Sequence, residues 1–279
     1  MRGLFFGLHS PPLLPYNPAM FRLTREVRFA INDLPDDQLA HPPANSYGGY
    51  PSLTGLAHFF AARIILNGEL ELQSQYLVNI KRIDEAVRDA LPAVRQLIRD
   101  RKSAPAVVTH LFSHLRERWP AQLESLSLAL SPFLSLSSAA SELPMMRLSQ
   151  KFEFSASHRL HNPSLSDEEN RRIFGKCNNA LGHGHNYEVQ VTLIGATNAD
   201  GLLIDIPAFE RTVTQTVIDP FDHKHLNTEV PQFRELIPSV ENIAKVIYQM
   251  LDPKFQNGSS KLHSVTVWET PKTWCEYLE

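Results

Sequence analysis

The chain repeats itself, and that repetition limits what it can fold into. Phe21-Arg22-Leu23-Thr24-Arg25-Glu26-Val27-Arg28-Phe29 matches Met146-Arg147-Leu148-Ser149-Gln150-Lys151-Phe152-Glu153-Phe154 in polarity at nearly every position. His58 to Gly68 lies over His185 to Gly195, Leu77-Val78-Asn79-Ile80 over Leu203-Ile204-Asp205-Ile206, and Leu126 to Pro132 over Val265 to Pro271. Two copies of one unit are the simplest account. The boundaries fall at residues 20–140 and 145–279, after a proline-rich arm at residues 1–19, and 279 residues suffice for two domains of ordinary size.

Periodicity gives each copy its elements. In Lys151 to His158 the apolar face is Phe152, Phe154 and Ala156, with His158 continuing it, and Tyr187 to Leu193 also alternates. Val240, Ile243, Ala244, Ile247 and Leu251 form a helical stripe starting after Pro238-Ser239, while Phe209, Val213 and Val217 indicate the helix before it. Gly201 and Gly258 fall in turns. Each copy therefore reads as strand, strand, helix, helix, strand, strand, an α+β arrangement.

The formal net charge of −3 argues against a broad nucleic-acid surface. Two cysteines, Cys177 and Cys275, are too few for a disulfide framework, which points to a reducing compartment. The apolar stretch Leu4 to Leu8 is too short for a signal peptide, and no run approaches the roughly 18 apolar residues of a membrane span. The expectation is a cytoplasmic protein with neither membrane nor nucleic acid as partner.

The chemistry-bearing residues concentrate in the second copy, in Cys177-Asn178-Asn179-Ala180-Leu181-Gly182-His183-Gly184-His185-Asn186-Tyr187. His183 and His185 share the parity of Tyr187 and Val189, so both imidazoles point to the face that carries the core. If this strand pairs with Lys151 to His158 as a wide hairpin, His158, His183 and His185 meet at one edge. Three imidazoles with an open fourth position are the ligand set of a catalytic zinc. The plainer alternative is three strand-end histidines, each hydrogen-bonded to a neighbour.

Phe154 to Leu160, Cys177 to Tyr187, Asp222-His223-Lys224-His225-Leu226-Asn227, Ser239-Val240-Glu241-Asn242 and Val267-Trp268-Glu269-Thr270 together resemble, in order and spacing, the motifs of the 6-pyruvoyl-tetrahydropterin and 6-carboxytetrahydropterin synthase family. The resemblance covers about residues 146–279. It implies a tunnelling fold (T-fold), each unit a four-stranded antiparallel sheet with two helices on one face, assembling into a β-barrel oligomer. It also implies Zn2+ on His158, His183 and His185, and 7,8-dihydroneopterin triphosphate as substrate. The reaction implied is a zinc-dependent lyase reaction giving 6-pyruvoyl-tetrahydropterin with loss of triphosphate. Cys177 matches the catalytic cysteine, Asp222 and His223 the proton-relay pair, and Glu269 the carboxylate that accepts from the pterin. Glu241 is a further substrate-binding candidate, although Val240 stands where the family usually has Thr. Arg159, Lys176 and Lys224 are candidates for the triphosphate, and His225 is treated as incidental.

Two alternatives stay open. One is the 6-carboxy product of the deazaguanine (queuosine) route, released with acetaldehyde; the six positions from Cys177 to His183 favour the pyruvoyl type. The other is a pterin- or zinc-binding regulatory protein without turnover.

The first copy has lost the chemistry. His158 aligns with Asp33, His183 with Leu56, Glu241 with Val108 and Glu269 with Leu130, while Cys177 falls near Tyr50. Only His58 survives, opposite His185, and the loop carrying Asp222-His223 has no counterpart between Asp100 and Pro105. The first domain is expected to be structural. Family members are trimers whose site takes the Cys from one subunit and the Asp-His pair from its neighbour. A homo-oligomer is therefore expected in which second domains trimerise with one another and first domains form a stacked cap.

Overall fold

The computed structural model describes residues 20–32, 47–53, 55–256 and 258–279. The arm assigned to residues 1–19, and Asp33, lie outside the described residues. Alternating apolar residues form β1 (Phe21–Ile31) and β2 (His58–Gly68), two helices follow, α1 (Ile80–Arg99) and α2 (Ala104–Arg118), and β3 (Leu123–Ala129) and β4 (Leu134–Ala139) close the first half. The second half opens with β5 (Met146–His158), α3 (Asp167–Phe174) and β6 (His183–Gly195). Next come α4 (Ile206–Val213), α5 (Asp219–Phe221), β7 (Lys224–His225), α6 (Leu226–Glu229) and α7 (Val240–Leu251), then β8 (Ser260–Thr270) and β9 (Thr273–Leu278). Apart from the short α3, α5, β7 and α6, the order of the first half recurs.

The recurrence extends to residue register. Phe21 pairs with Gly68 in β1–β2 and Met146 with Gly195 in β5–β6. Ala61 pairs with Ala129 in β2–β3 and Glu188 with Trp268 in β6–β8. Both of those ladders slip at the same place, between Ile65 and Leu66 and between Thr192 and Leu193. A bulge is a one-residue insertion that bends the strand, so its presence at equivalent points gives both halves the same local twist. Ser125 pairs with Ala139 and Ser264 with Leu278 in the final hairpins.

Helices α1, α2, α4 and α7 cover one face of the sheet, and their apolar stripes join the inward strand residues in one core, including Phe29, Ile64, Leu111, Tyr187, Phe209 and Ile247. The stripe Val240, Ile243, Ala244, Ile247 and Leu251 is buried as its spacing requires, and Ser239 caps α7 by accepting from the Asn242 amide. The opposite sheet face carries Ser127, Ser135, Ser149, Lys151 and Gln190. No helix of the described residues is long and apolar enough to cross a membrane.

The two halves are not separate layers. β4 pairs antiparallel with β5, Leu134 opposite Gln150 and Ser137 opposite Arg147, which makes one continuous sheet ordered β1-β2-β3-β4-β5-β6-β8-β9, with β7 beside β5. This corrects the expected assembly. A ring of second halves alone needs the outer edge of β5 free, and that edge is occupied by β4 along Arg147–Gln150 and by β7 at Ala156–Ser157.

Candidate metal centre

The wide hairpin forms as its alternation predicts, with His158 opposite His183 and Ala156 opposite His185. One ligand nitrogen from each of His158, His183 and His185 lies within 4.8 Å of the others. Tetrahedral zinc with bonds of about 2.0–2.1 Å separates its nitrogens by about 3.3 Å, which this cluster accommodates. Gly182 enters β6 at φ +74°, and a Cβ there would stand 2.9 Å from the His158 carbonyl oxygen, so the approach to His183 requires glycine.

One hydrogen bond orients His158 toward the other two imidazoles. His158 is fully buried and its Nδ1 lies 2.7 Å from the Pro238 carbonyl oxygen. A carbonyl only accepts, so Nδ1 carries the proton and Nε2 presents its lone pair. Burial, ahead of the neighbouring histidines, pushes the His158 pKa down to about 4, which keeps it neutral near pH 7. Burial also lowers His185, against the opposing pull of Glu269. His158 Nε2 and His183 Nε2 face each other at 3.1 Å, and His183 Nδ1 and His185 Nε2 are buried with no hydrogen-bond partner. Buried nitrogens left unpaired cost stability unless something binds them, so the donor set fits a divalent cation such as zinc.

Glu269, at the end of β8, faces the same point, with Oε1 3.3 Å from His158 Nε2 and 3.6 Å from His185 Nε2. Tyr187 lies beneath, its hydroxyl 3.4 Å from His158 Nδ1. Burial, ahead of the charges of Glu269 and Cys177, raises the Tyr187 pKa. The half-buried thiol belongs to a 3-10 turn, Gly175–Asn178, whose Cys177 carbonyl accepts from the Leu160 amide. Buried Asn170 ties down the preceding loop: its amide donates to the carbonyls of Asn162, Leu165 and Ser166, and its Oδ1 accepts from the Asn162 amide.

Asp222 and His223 sit on the outer edge of β5. Asp222 Oδ1 accepts from the Ser155 amide at 2.8 Å, Oδ2 lies 2.7 Å from His223 Nδ1, and the His223 amide donates to the Ser155 carbonyl. The Ser155 bond, then His223, holds the Asp222 carboxyl below its usual range. His223 adopts φ +58°, uncommon for a residue with a Cβ, and leaves its side chain 83% exposed. It lines one cavity of about 490 Å³ with Ser157, His185 and Glu229, and no hydrogen bond among the described residues joins the pair to Cys177.

The other sequence-derived candidates are dispersed. Glu241, exposed in the first turn of α7, contributes to the raised pKa of Cys275 and makes no polar contact with the histidines. Arg159 donates to the Asn178 carbonyl, and Lys224 pairs with Glu229 at 3.4 Å. His225 is less incidental than its sequence context implied. It adds to the charge that lowers His158, and its Nε2 borders Gly182.

Residues 147–279 match the family model described as 6-pyruvoyl tetrahydropterin synthase. Over 125 residues the chain is 41% identical to 6-pyruvoyl tetrahydrobiopterin synthase of Homo sapiens, covering 44% of this chain and 85% of that protein. It is 28% identical to 6-carboxy-5,6,7,8-tetrahydropterin synthase of Haemophilus influenzae, covering 48% of this chain and all of that one. The solved 6-pyruvoyl tetrahydropterin synthase of Caenorhabditis elegans superposes with a TM-score of 0.47 at 36% identity, covering 50% of this chain and 98% of the other.

Proposed function

Because the chain belongs to the 6-pyruvoyl tetrahydropterin synthase family, we propose that it is a zinc-dependent lyase converting 7,8-dihydroneopterin triphosphate to 6-pyruvoyl-tetrahydropterin with loss of triphosphate. The observation that carries this reading is the histidine cluster, in which the Pro238 carbonyl leaves His158 Nε2 bare toward His183 and His185. We read residues 145–279 as the catalytic domain and residues 20–140 as a degenerate, non-catalytic copy, in a cytoplasmic homo-oligomer.

His158, His183 and His185 would hold the zinc, whose chemistry when bound is Lewis-acid polarisation of the substrate's side-chain hydroxyls. Cys177 is the base for the side-chain carbon, a role that a thiol takes as its thiolate. Asp222 fixes the His223 tautomer by accepting from Nδ1, which leaves Nε2 to exchange a proton with the substrate. Glu269 accepts from the pterin amino group and ring N–H, a two-point contact suited to a carboxylate.

The test is incubation of zinc-loaded protein with 7,8-dihydroneopterin triphosphate and identification of products by mass spectrometry. Triphosphate with a pyruvoyl pterin is the expected result. Acetaldehyde with a carboxy pterin would reassign the product, and bound zinc and pterin without turnover would leave a binding protein.

A further inference from the structure

The turn that carries Cys177 does not hold itself in place. Gly175–Asn178 is a short 3-10 turn between α3 and the approach to β6, and hydrogen-bond geometry in such turns is poorer than in an α-helix. Its position is set from outside, by the residues that follow the ligand His158. The Leu160 amide donates to the Cys177 carbonyl at 2.9 Å, and Arg159 Nε donates to the Asn178 carbonyl at 3.1 Å. His161 Nδ1 lies 3.0 Å from Asn178 Oδ1. An amide oxygen only accepts, so this Nδ1 carries the proton. Asn178 is buried, and a polar group there that loses its partner pays the full cost of desolvation.

The segment that holds the turn is itself anchored at both ends. Asn227 brackets Arg159: its Oδ1 accepts from the Arg159 amide at 2.8 Å and its Nδ2 donates to the Arg159 carbonyl at 3.0 Å. Asn170 brackets Asn162 in the same way, at 2.8 and 2.9 Å. Asn227 belongs to α6, directly after β7 and the Asp222-His223 pair. Residues 159–162 therefore connect the ligand His158, the thiol turn and the loop of the acid–base pair. Arg159 is the crossing point, its main chain gripped by one loop while its side chain grips the other. That use of Nε differs from the triphosphate contact that its charge implied.

We propose that His161 and Arg159 are positioning residues for the Cys177 thiol, acting through Asn178, and that Asn227 ties that position to the loop carrying Asp222 and His223. The inference rests on the reading of Cys177 as the base. It gives residues 159–162 the task of holding the thiol at a fixed place relative to His158. A misplacement of about 1 Å costs on the order of 10²-fold in rate when the reacting groups are already bound. Loss of the frame therefore acts on kcat and leaves KM alone.

The test reads the thiol as well as turnover, on the full zinc-loaded chain. His161→Phe keeps a ring and removes the donor, while His161→Asn returns an N–H near the place of Nδ1. His161→Phe is expected to lower kcat by about 10²-fold with KM and zinc content unchanged, and His161→Asn to recover most of that loss. Cys177 is half-buried, so freeing its turn should speed its alkylation by iodoacetamide, located by peptide mass spectrometry to set Cys275 aside. Asn227→Ala removes both anchors of Arg159 and is expected to speed the same alkylation, together with hydrogen exchange of the Leu160 amide. Unchanged alkylation in either His161→Phe or Asn227→Ala overturns the proposal, as does His161→Asn behaving like His161→Phe. Loss of zinc in His161→Phe overturns it too, because the residue would then act on His158 and not on the thiol. If the unmodified protein turns nothing over, the reading of the reaction fails, and alkylation and exchange still decide the frame.

Discussion

The outer edges of β1 and β5 are equivalent positions treated in opposite ways. In the second half the Ser155 amide donates to the Asp222 carboxylate and its carbonyl accepts from the His223 amide. In the first half the Ala30 amide, at the matching place, donates to the Pro51 carbonyl, while the Arg28 carbonyl accepts from the Tyr50 amide. Gly49 makes that approach possible: its φ is +73°, and a Cβ there would stand 2.6 Å from the Arg28 carbonyl oxygen. One edge is sealed by an acid–base pair and the other by plain backbone. Backbone need not be spent on chemistry, and the same ladder can be completed either way.

The pocket behind each edge differs in the same sense. Tyr187 and Glu269 have Phe60 and Leu130 as counterparts, and around His58 the described residues of the first half form an apolar cavity of about 270 Å³ with Lys102 at its side. One imidazole does not hold zinc against water, so metal should separate the halves completely. We expect one zinc per chain by elemental analysis, falling to near zero in His183→Ala and unchanged in His58→Ala. Two zinc ions per chain, or loss of metal in His58→Ala, would mean that the first half also binds and that the contrast is false.

Next in size are the effects on turnover. Removing a positioned base or acid typically costs about 10²–10⁴-fold, so Cys177→Ala and His223→Ala should each lose activity in that range while keeping zinc. The sheet places Asp222-His223 beside the first half of its own chain, away from the β9 edge. If the pair serves its own half, mixing the two variants restores nothing. Recovery of up to a quarter of wild-type activity after mixing and reannealing would show that thiol and relay come from different chains.

Much of this was legible because alternation and repetition are local. The β5–β6 hairpin and the meeting of His158, His183 and His185 follow from parity, and the α7 stripe from its spacing. The β4–β5 junction was not legible, since an edge strand paired within the chain and one paired with another molecule carry the same residues. The relation of Cys177 to the centre depends on a loop held by Asn170, whose four hydrogen bonds no periodicity announces. A signal did exist for α3: Ser166-Asp167-Glu168-Glu169 is a capping box, with Ser166 and Glu169 bonded to each other's amides. His225 could not be weighed from sequence, because its neighbour Gly182 belongs to a distant part of the chain, ahead of β6.

The smallest expected differences concern stability and test whether equivalent positions share a job. Arg25 on β1 grips Asp84 on α1 through two hydrogen bonds, of 2.9 and 2.8 Å, and Asp84 is only 6% exposed. At the equivalent place Gln150 on β5 donates to Glu210 on α4. Both fasten a helix that packs on the sheet to the first strand of its half, but one is an ion pair with a buried carboxylate and the other a single amide bond to an exposed one. Asp84→Ala leaves a guanidinium without its partner, and the expected cost is about 2 kcal/mol. Glu210→Ala leaves the buried amide of Gln150, a neutral group, without that partner, at about 1 kcal/mol. Urea unfolding followed by hydrogen exchange on α1 and α4 separates the two. Equal costs would indicate that the ion pair contributes no more than the amide, and that charge at this position serves something other than holding the helix down.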